Sequence, residues 1–350
     1  MSSIRIFICH PDTVCLTPLR HEVFTPLLYG AALQPVPEGC LSDRSGSSWS
    51  LQAWKYGALA AHYWIFKNYL PQAQEDYIGL FTHDRMLDFS APGRTPDGGG
   101  NSRLSTSFYW QYICRLRMPA WTAPLILSRL DGCDVALPRL RSRDNCTVRT
   151  GFAFLRNGQE LERTLQIMQR HCPDYLPHAE RFLDGRTEYM HGCFIMKRPL
   201  LAAYMNWLFE LMAVLEPGSR WHEYTSKAER YMPFSLMCTL LNVWLAHRMA
   251  SRPLRLIELQ NILLMTEGDN TSDAQMLDPI LRLGNARCGP QTYRVFAEVF
   301  CSMDPDLKTR LCLRHLQQHP EQCGLLLDLM HTEPGQPTLR KVRLLLQASS

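Results

Sequence analysis

The 350-residue sequence has no Cys-x-x-Cys pair, no extended run of Lys and Arg, no clear internal repeat and no opening stretch that reads as a secretory leader. Each absence removes a class of protein. Without paired cysteine spacing, the 13 scattered cysteines read as free, buried thiols in a reducing compartment. Without a basic block there is no nucleic-acid arm, so nucleic acid is not expected as a partner. The opening "MSSIRIFICHPD" is a short β-type apolar run and lacks the apolar region and cleavage site of a signal peptide. The longest apolar stretch, "PLLAAYMNWLFELMAVLEP" over 199–217, is bounded by proline and carries Asn206 and Glu210. It is short for a membrane span. It reads as a core-packed amphipathic helix or as one lying on a membrane surface, which keeps peripheral membrane association open.

Hydrophobic residues make up 46% of the chain and charged residues 20%, the balance of a globular protein with a sizeable core. A formal net charge of +4 suits a small anionic ligand such as a nucleotide diphosphate. Short strands are expected at 4–10, 24–33, 77–82, 133–138, 189–198 and 254–259. Helices are expected at 54–70, 158–176, 200–215 and 235–250. Strands alternating with helices predict an α/β fold, an open sheet flanked by helices, over 1–262. Beyond about residue 265 the pattern is helical only, so 263–350 reads as an α-helical C-terminal appendage.

Two of these strands end in charge. "DYIGLFT" runs straight into His83-Asp84-Arg85, and "CFIM" into Lys197-Arg198. Ligands of open α/β sheets bind beyond the carboxyl ends of the strands. A charged strand end can also be an ordinary solvated loop. The Gly- and Pro-rich segment 90–103 follows the first of them and is placed to act as a lid.

These segments, in this order, resemble a bacterial family of domains without assigned function whose members are candidate capsular-polysaccharide and lipopolysaccharide glycosyltransferases. The matches are the His-ended strand "IRIFICH", the loop "LSDRSGSSWS", "HYWIFKN", "DYIGLFTHDR", "CPDYL", "HGCFIMKR", "NWLFELMAVLE" and "LLNVWL". They span roughly 4–260. The resemblance implies a GT-A-like, Rossmann-like fold, a nucleotide-diphosphate sugar donor, a saccharide acceptor and a cytoplasmic setting that includes the inner face of the membrane. It implies that Asp84 is the catalytic residue and holds a divalent cation, Mn²⁺ or Mg²⁺. Oxygen ligation by Asp together with phosphate oxygens suits either ion. It further implies substrate contacts from His10, Asp43, Ser50, Tyr56, His83, Arg85, His191 and Lys197.

The chain also departs from that pattern. Ala58 stands where the family carries Glu before "YW", and Cys238 where it carries Glu before "LLNVWL". The family's "HYRR" is Thr82-His83-Asp84-Arg85. An inverting transferase needs a carboxylate to take the acceptor's proton, and neither Ala58 nor Cys238 supplies one. The leading reading is a hexosyltransferase. The alternative is a catalytically degenerate member acting as a nucleotide- or partner-binding module. Cys312, His315, His319 and Cys323 read as packed thiols and surface histidines, because ligands along one helix cannot surround a tetrahedral ion. Cys238 reads as a buried, inert thiol. Trp64, Trp207 and Trp244 read as core, and Trp49 and Trp54 as candidates for contact with a base or sugar.

Overall fold

The computed structural model describes residues 2–11, 21–90, 93, 106–109, 113, 117–143, 146–155, 158–190, 192–221, 232–265 and 309. The lid segment, His191, the Cys312–Cys323 set and nearly all of the C-terminal appendage lie outside these residues. The chain divides into two compact units, Met1–Leu104 with Thr122–Asn261, and Ser105–Trp121 with Ile262–Ser350.

The strands are, in chain order, β1 (Ile4–His10), β2 (Phe24–Leu28), β3 (Leu41–Ser42), β4 (Tyr77–Thr82), β5 (Arg85–Asp88), β6 (Thr106–Tyr109), β7 (Val135–Pro138), β8 (Arg141–Ser142), β9 (Thr187–Glu188), β10 (Phe194–Lys197) and β11 (Leu256–Met265). The sheet of the first unit runs β3-β2-β1-β4-β10-β7-β11-β5. β1 pairs in parallel with β2 and β4, and β7 with β11. β10 runs antiparallel to both its neighbours, β4 and β7. β8 and β9 form a separate two-stranded ribbon. In the second unit, β6 pairs in parallel with Ile262–Met265 of β11.

Every residue of β4 is buried, as expected of a central strand covered on both faces. Gly79 has a local reason. Its register partners are Ile6 and Ile195, and a Cβ there would meet their side chains at 2.9 and 3.0 Å. The two isoleucines close over the strand, and only hydrogen fits between them.

The helices of the first unit are α1 (Ala53–Tyr56), α2 (Leu59–Trp64), α3 (Ala123–Leu130), α4 (Val148–Leu155), α5 (Gly158–His171), α6 (Leu176–Asp184), α7 (Arg198–Leu215) and α8 (Met232–Ser251). The single helix expected over 54–70 is broken at Gly57 and widened into a π turn over Ile65–Tyr69. Its side chains latch the preceding loop. Trp64 Nε1 donates to Ser45 O at 2.8 Å, and Asn68 exchanges hydrogen bonds with the Ser47 N–H and C=O. Gly46 between them has φ +73°, and a Cβ there would sit 2.0 Å from Asn68 Oδ1. α7 buries Leu201, Tyr204, Leu208, Met212 and Leu215, so it is a core helix. Among the described residues no helix is long and apolar enough to cross a membrane.

Candidate active site

β4 ends where its last ladder-type bond, His83 N–H to Cys9 O at 2.9 Å, gives way to a turn at His83-Asp84. Arg85 follows directly as the first residue of β5. A pocket of about 220 Å³ opens at this turn. Thr82, His83, Asp84 and Arg85 form one wall, and Ala58, ahead of α2, contributes a small side chain. Phe234, Ser235, Cys238 and Thr239 of α8 face in, as do Arg143 and Glu188 from the β8–β9 ribbon. The site therefore lies beyond the carboxyl ends of the parallel strands β1 and β4, where the topology favours ligand binding.

The electrostatics are set by two ion pairs. Asp84 Oδ2 lies 3.9 Å from Arg85 NH2, and the Asp84 side chain is 40% exposed. Burial alone would raise the Asp84 carboxyl. The Arg85 guanidinium, then His83, the nearby Thr82 hydroxyl and its own backbone N–H outweigh it and hold the group below the usual aspartate range. The second pair is more enclosed. Arg143 reaches Glu188 Oε1 through Nε at 2.6 Å and through NH2 at 2.5 Å, with both side chains 11% exposed. The segment carrying Glu188 is clamped from α8. Asn242 Oδ1 accepts from Tyr189 N–H at 2.8 Å, and its Nδ2 donates to Tyr189 O and to Cys238 O, both at 2.9 Å. That clamp is what the Asn of "LLNVWL" does.

The residues expected at the site divide into three groups. His83, Asp84 and Arg85 line the pocket, and His10, at the end of β1 and buried, stands behind it with its ring centroid 6.4 Å from that of His83. Asp43, Ser50 and Tyr56 are placed elsewhere, in the scaffold of the neighbouring loop. Asp43 accepts from Gly30 N–H and Ala31 N–H at 3.0 Å each and from Ser50 Oγ at 2.6 Å. Ser50 in turn accepts from Ala32 N–H. Tyr56 is buried against Trp49, and burial, with Glu216 beside it, pushes its hydroxyl's pKa up. Trp49 stacks on both Tyr56 and Tyr63 at 4.2 Å, so its ring is already engaged.

Lys197 lies away from this pocket. Its strand is antiparallel to β4, with Lys197 opposite Tyr77, so its charged end lies at the opposite edge of the sheet from Asp84. There Lys197 Nζ donates to Asp134 Oδ1 at 2.9 Å. His191 lies outside the described residues. Cys238, expected in the packed interior, is on the pocket wall. Arg143, Glu188 and the Asn242 clamp were not expected from sequence. The charged "RTEYMHG" ahead of an apolar run was the available signal.

Whether a divalent cation fits is decided by the donors present. Among the described residues no group of three or more His, Cys, Asp and Glu side chains could cage a metal. Mg²⁺ needs no such cage, since it is held through one or two carboxylates plus substrate phosphates. Asp84, partly exposed on the pocket wall, fits that role.

The open mixed sheet flanked by helices is a Rossmann-like fold of the kind found in a glycosyltransferase. The structure described as the WbbM bifunctional glycosyltransferase, in its apo form, superimposes with a TM-score of 0.62 at 21% identity, over 76% of this chain and 46% of that one. The chain thus spans less than half of that protein. No curated protein matches. The family model for DUF4422, a domain of unknown function, matches residues 5–249, and the chain belongs to that family.

Proposed function

We propose that the protein transfers a hexose from a nucleotide-diphosphate sugar to a saccharide acceptor, of the kind used to build surface polysaccharide. One observation carries this reading: the His83-Asp84-Arg85 turn opens a pocket beyond the parallel strands of a glycosyltransferase-like sheet. Breaking the donor's glycosidic bond puts negative charge on the departing diphosphate. Arg85 holds that diphosphate through its planar fork of donors. Asp84 would hold Mg²⁺ or Mn²⁺, and the bound ion would supply positive charge for the leaving group. Without such an ion, the carboxylate would repel a diphosphate. His83, supported from behind by His10, supplies a polar wall for the same end of the donor. The described cysteines are all free, which supports a reducing, cytoplasmic setting.

A second reading has its own support. Ala58 and Cys238 both line the pocket, and these are the positions where the resemblance leads one to expect glutamates. A pocket without either suits a degenerate, nucleotide- or partner-binding module. Melting the protein with a panel of nucleotide diphosphates and nucleotide-sugars, with and without Mn²⁺, tests the shared premise. A ligand at 100 times its Kd stabilises by about 2.7 kcal/mol. No shift with any nucleotide removes both nucleotide readings. Binding with no transfer to any acceptor and no donor hydrolysis selects the binding module.

A further inference from the structure

Glu188 is the second carboxylate of the pocket, on the wall formed by the β8–β9 ribbon rather than on the turn that carries Asp84. Both contacts from Arg143 converge on one oxygen, Oε1. Oε2 makes no hydrogen bond among the described residues. The side chain is thus held by a guanidinium on one oxygen while the other is uncommitted among the described residues, on the wall of the pocket. The backbone next to it is locked on both its N–H and C=O by Asn242. A carboxylate fixed in this way, with its orientation paid for by the scaffold, is what a positioned proton acceptor requires.

We propose that Glu188 is the catalytic base. This rests on the glycosyl-transfer reading above. With Asp84 and Arg85 engaged by the diphosphate, Glu188 is the remaining carboxylate among the described residues lining the pocket. Its Oε2 takes the proton of the acceptor hydroxyl as that O–H bond breaks. The acceptor oxygen's electron pair forms the new bond to the anomeric carbon, and the bond from that carbon to the diphosphate oxygen breaks, its pair leaving with the nucleoside diphosphate. The displacement is direct, so the new linkage has the inverted anomeric configuration. Glu188 would also explain how the site dispenses with carboxylates at Ala58 and Cys238.

The test compares wild type, E188Q and E188D in steady-state transfer, with donor binding followed separately by calorimetry. Glutamine keeps a carbonyl for Arg143 but cannot take the proton. E188Q should lose roughly 10²- to 10⁴-fold in kcat while donor Kd stays within about threefold of wild type. E188D keeps the carboxylate and should fall between the two, whatever the order of their melting temperatures. NMR of the product should show inversion. If E188Q is insoluble, E188D and the product's configuration still decide. E188D as slow as a variant without a carboxylate, rates that track melting temperature, E188Q within about threefold of wild-type kcat, or a retained configuration each overturn the assignment. A wild type that binds nucleotide-sugar yet transfers to no acceptor overturns the glycosyl-transfer reading itself.

Discussion

The two charged strand ends, Thr82 into His83-Asp84-Arg85 and Met196 into Lys197-Arg198, look alike in sequence and lie at opposite edges of one sheet. At the Lys197 edge the charges are absorbed by structure. Lys197 pairs with Asp134, whose other oxygen accepts from Arg255 N–H at 2.9 Å. Arg198 Nε donates to Glu75 O at 3.0 Å, while the Glu75 carboxylate pairs with Arg5 at 2.8 Å and accepts from the Tyr69 hydroxyl. At the Asp84 edge the nearest ion pair is loose, at 3.9 Å, and faces a pocket. Saturated charges tie strands together. Under-committed charges in a recess are available to a ligand.

The comparison is broken most directly at Asp84. Asp84→Ala should lower transfer at least about 100-fold, the scale of losing one charge-stabilising group. Its melting temperature should stay near wild type, since the side chain is 40% exposed and its ion pair with Arg85 is loose. Wild-type activity should disappear in chelator and return with Mn²⁺. Full activity in chelator would remove the metal role of Asp84, and a silent Asp84→Ala would favour the degenerate module.

Asn242→Ala comes next. It removes the two Asn242 bonds to the Tyr189 N–H and C=O beside the pocket, and a lost hydrogen bond at a partly buried site costs about 1–3 kcal/mol. Urea unfolding should show a loss of about 2–3 kcal/mol. Transfer should also fall in the folded fraction, because the segment holding Glu188 is no longer clamped. A loss of stability with unchanged kcat would make Asn242 purely structural.

These contrasts show what the sequence could and could not disclose. β4 was legible because "YIGLFT" is a short apolar run ending abruptly in charge, and α7 because its apolar residues fall at helical spacing. The turn at Asp84 was legible for the same reason. The edge on which Lys197 falls was not, because strand direction is set by neighbours. β10 reads as one more apolar strand, yet it runs antiparallel. Asp43 and Ser50 were legible as important and not as scaffold, since a loop aspartate that caps backbone N–H groups has the same composition as one that binds a ligand. Glu188 was hidden because its partner Arg143 lies 45 residues away, just after a two-residue strand with no periodicity to read.

His62 offers a smaller effect with a defined sign. It is fully buried, neither ring nitrogen has a hydrogen-bond partner among the described residues, and it stands edge-on to Phe194 and Phe234. Burial pushes its pKa down to about 3. The unfolded chain takes up this proton near pH 6.5 and the folded chain does not. Its contribution to stability is therefore full above about pH 6.5 and is lost as pH falls from there toward about 3. His62→Phe should be close to wild type at pH 7 and should lose less stability between pH 6.5 and 4, as read from denaturation midpoints at each pH. Parallel pH profiles for the two proteins would contradict this.

The smallest expected effect is at the saturated edge. Lys197 is 42% exposed and its partner Asp134 24%, so the pair is a surface salt bridge worth under about 1 kcal/mol. Asp134 keeps its bond to Arg255 N–H when Lys197 is removed, so no buried charge is stranded. Lys197→Ala should therefore shift the unfolding midpoint only slightly and leave donor KM and kcat unchanged within about twofold. A tenfold rise in donor KM with stability intact would mean that the far edge of the sheet also meets the substrate. The division between a binding edge and a binding-free edge would then have to be abandoned.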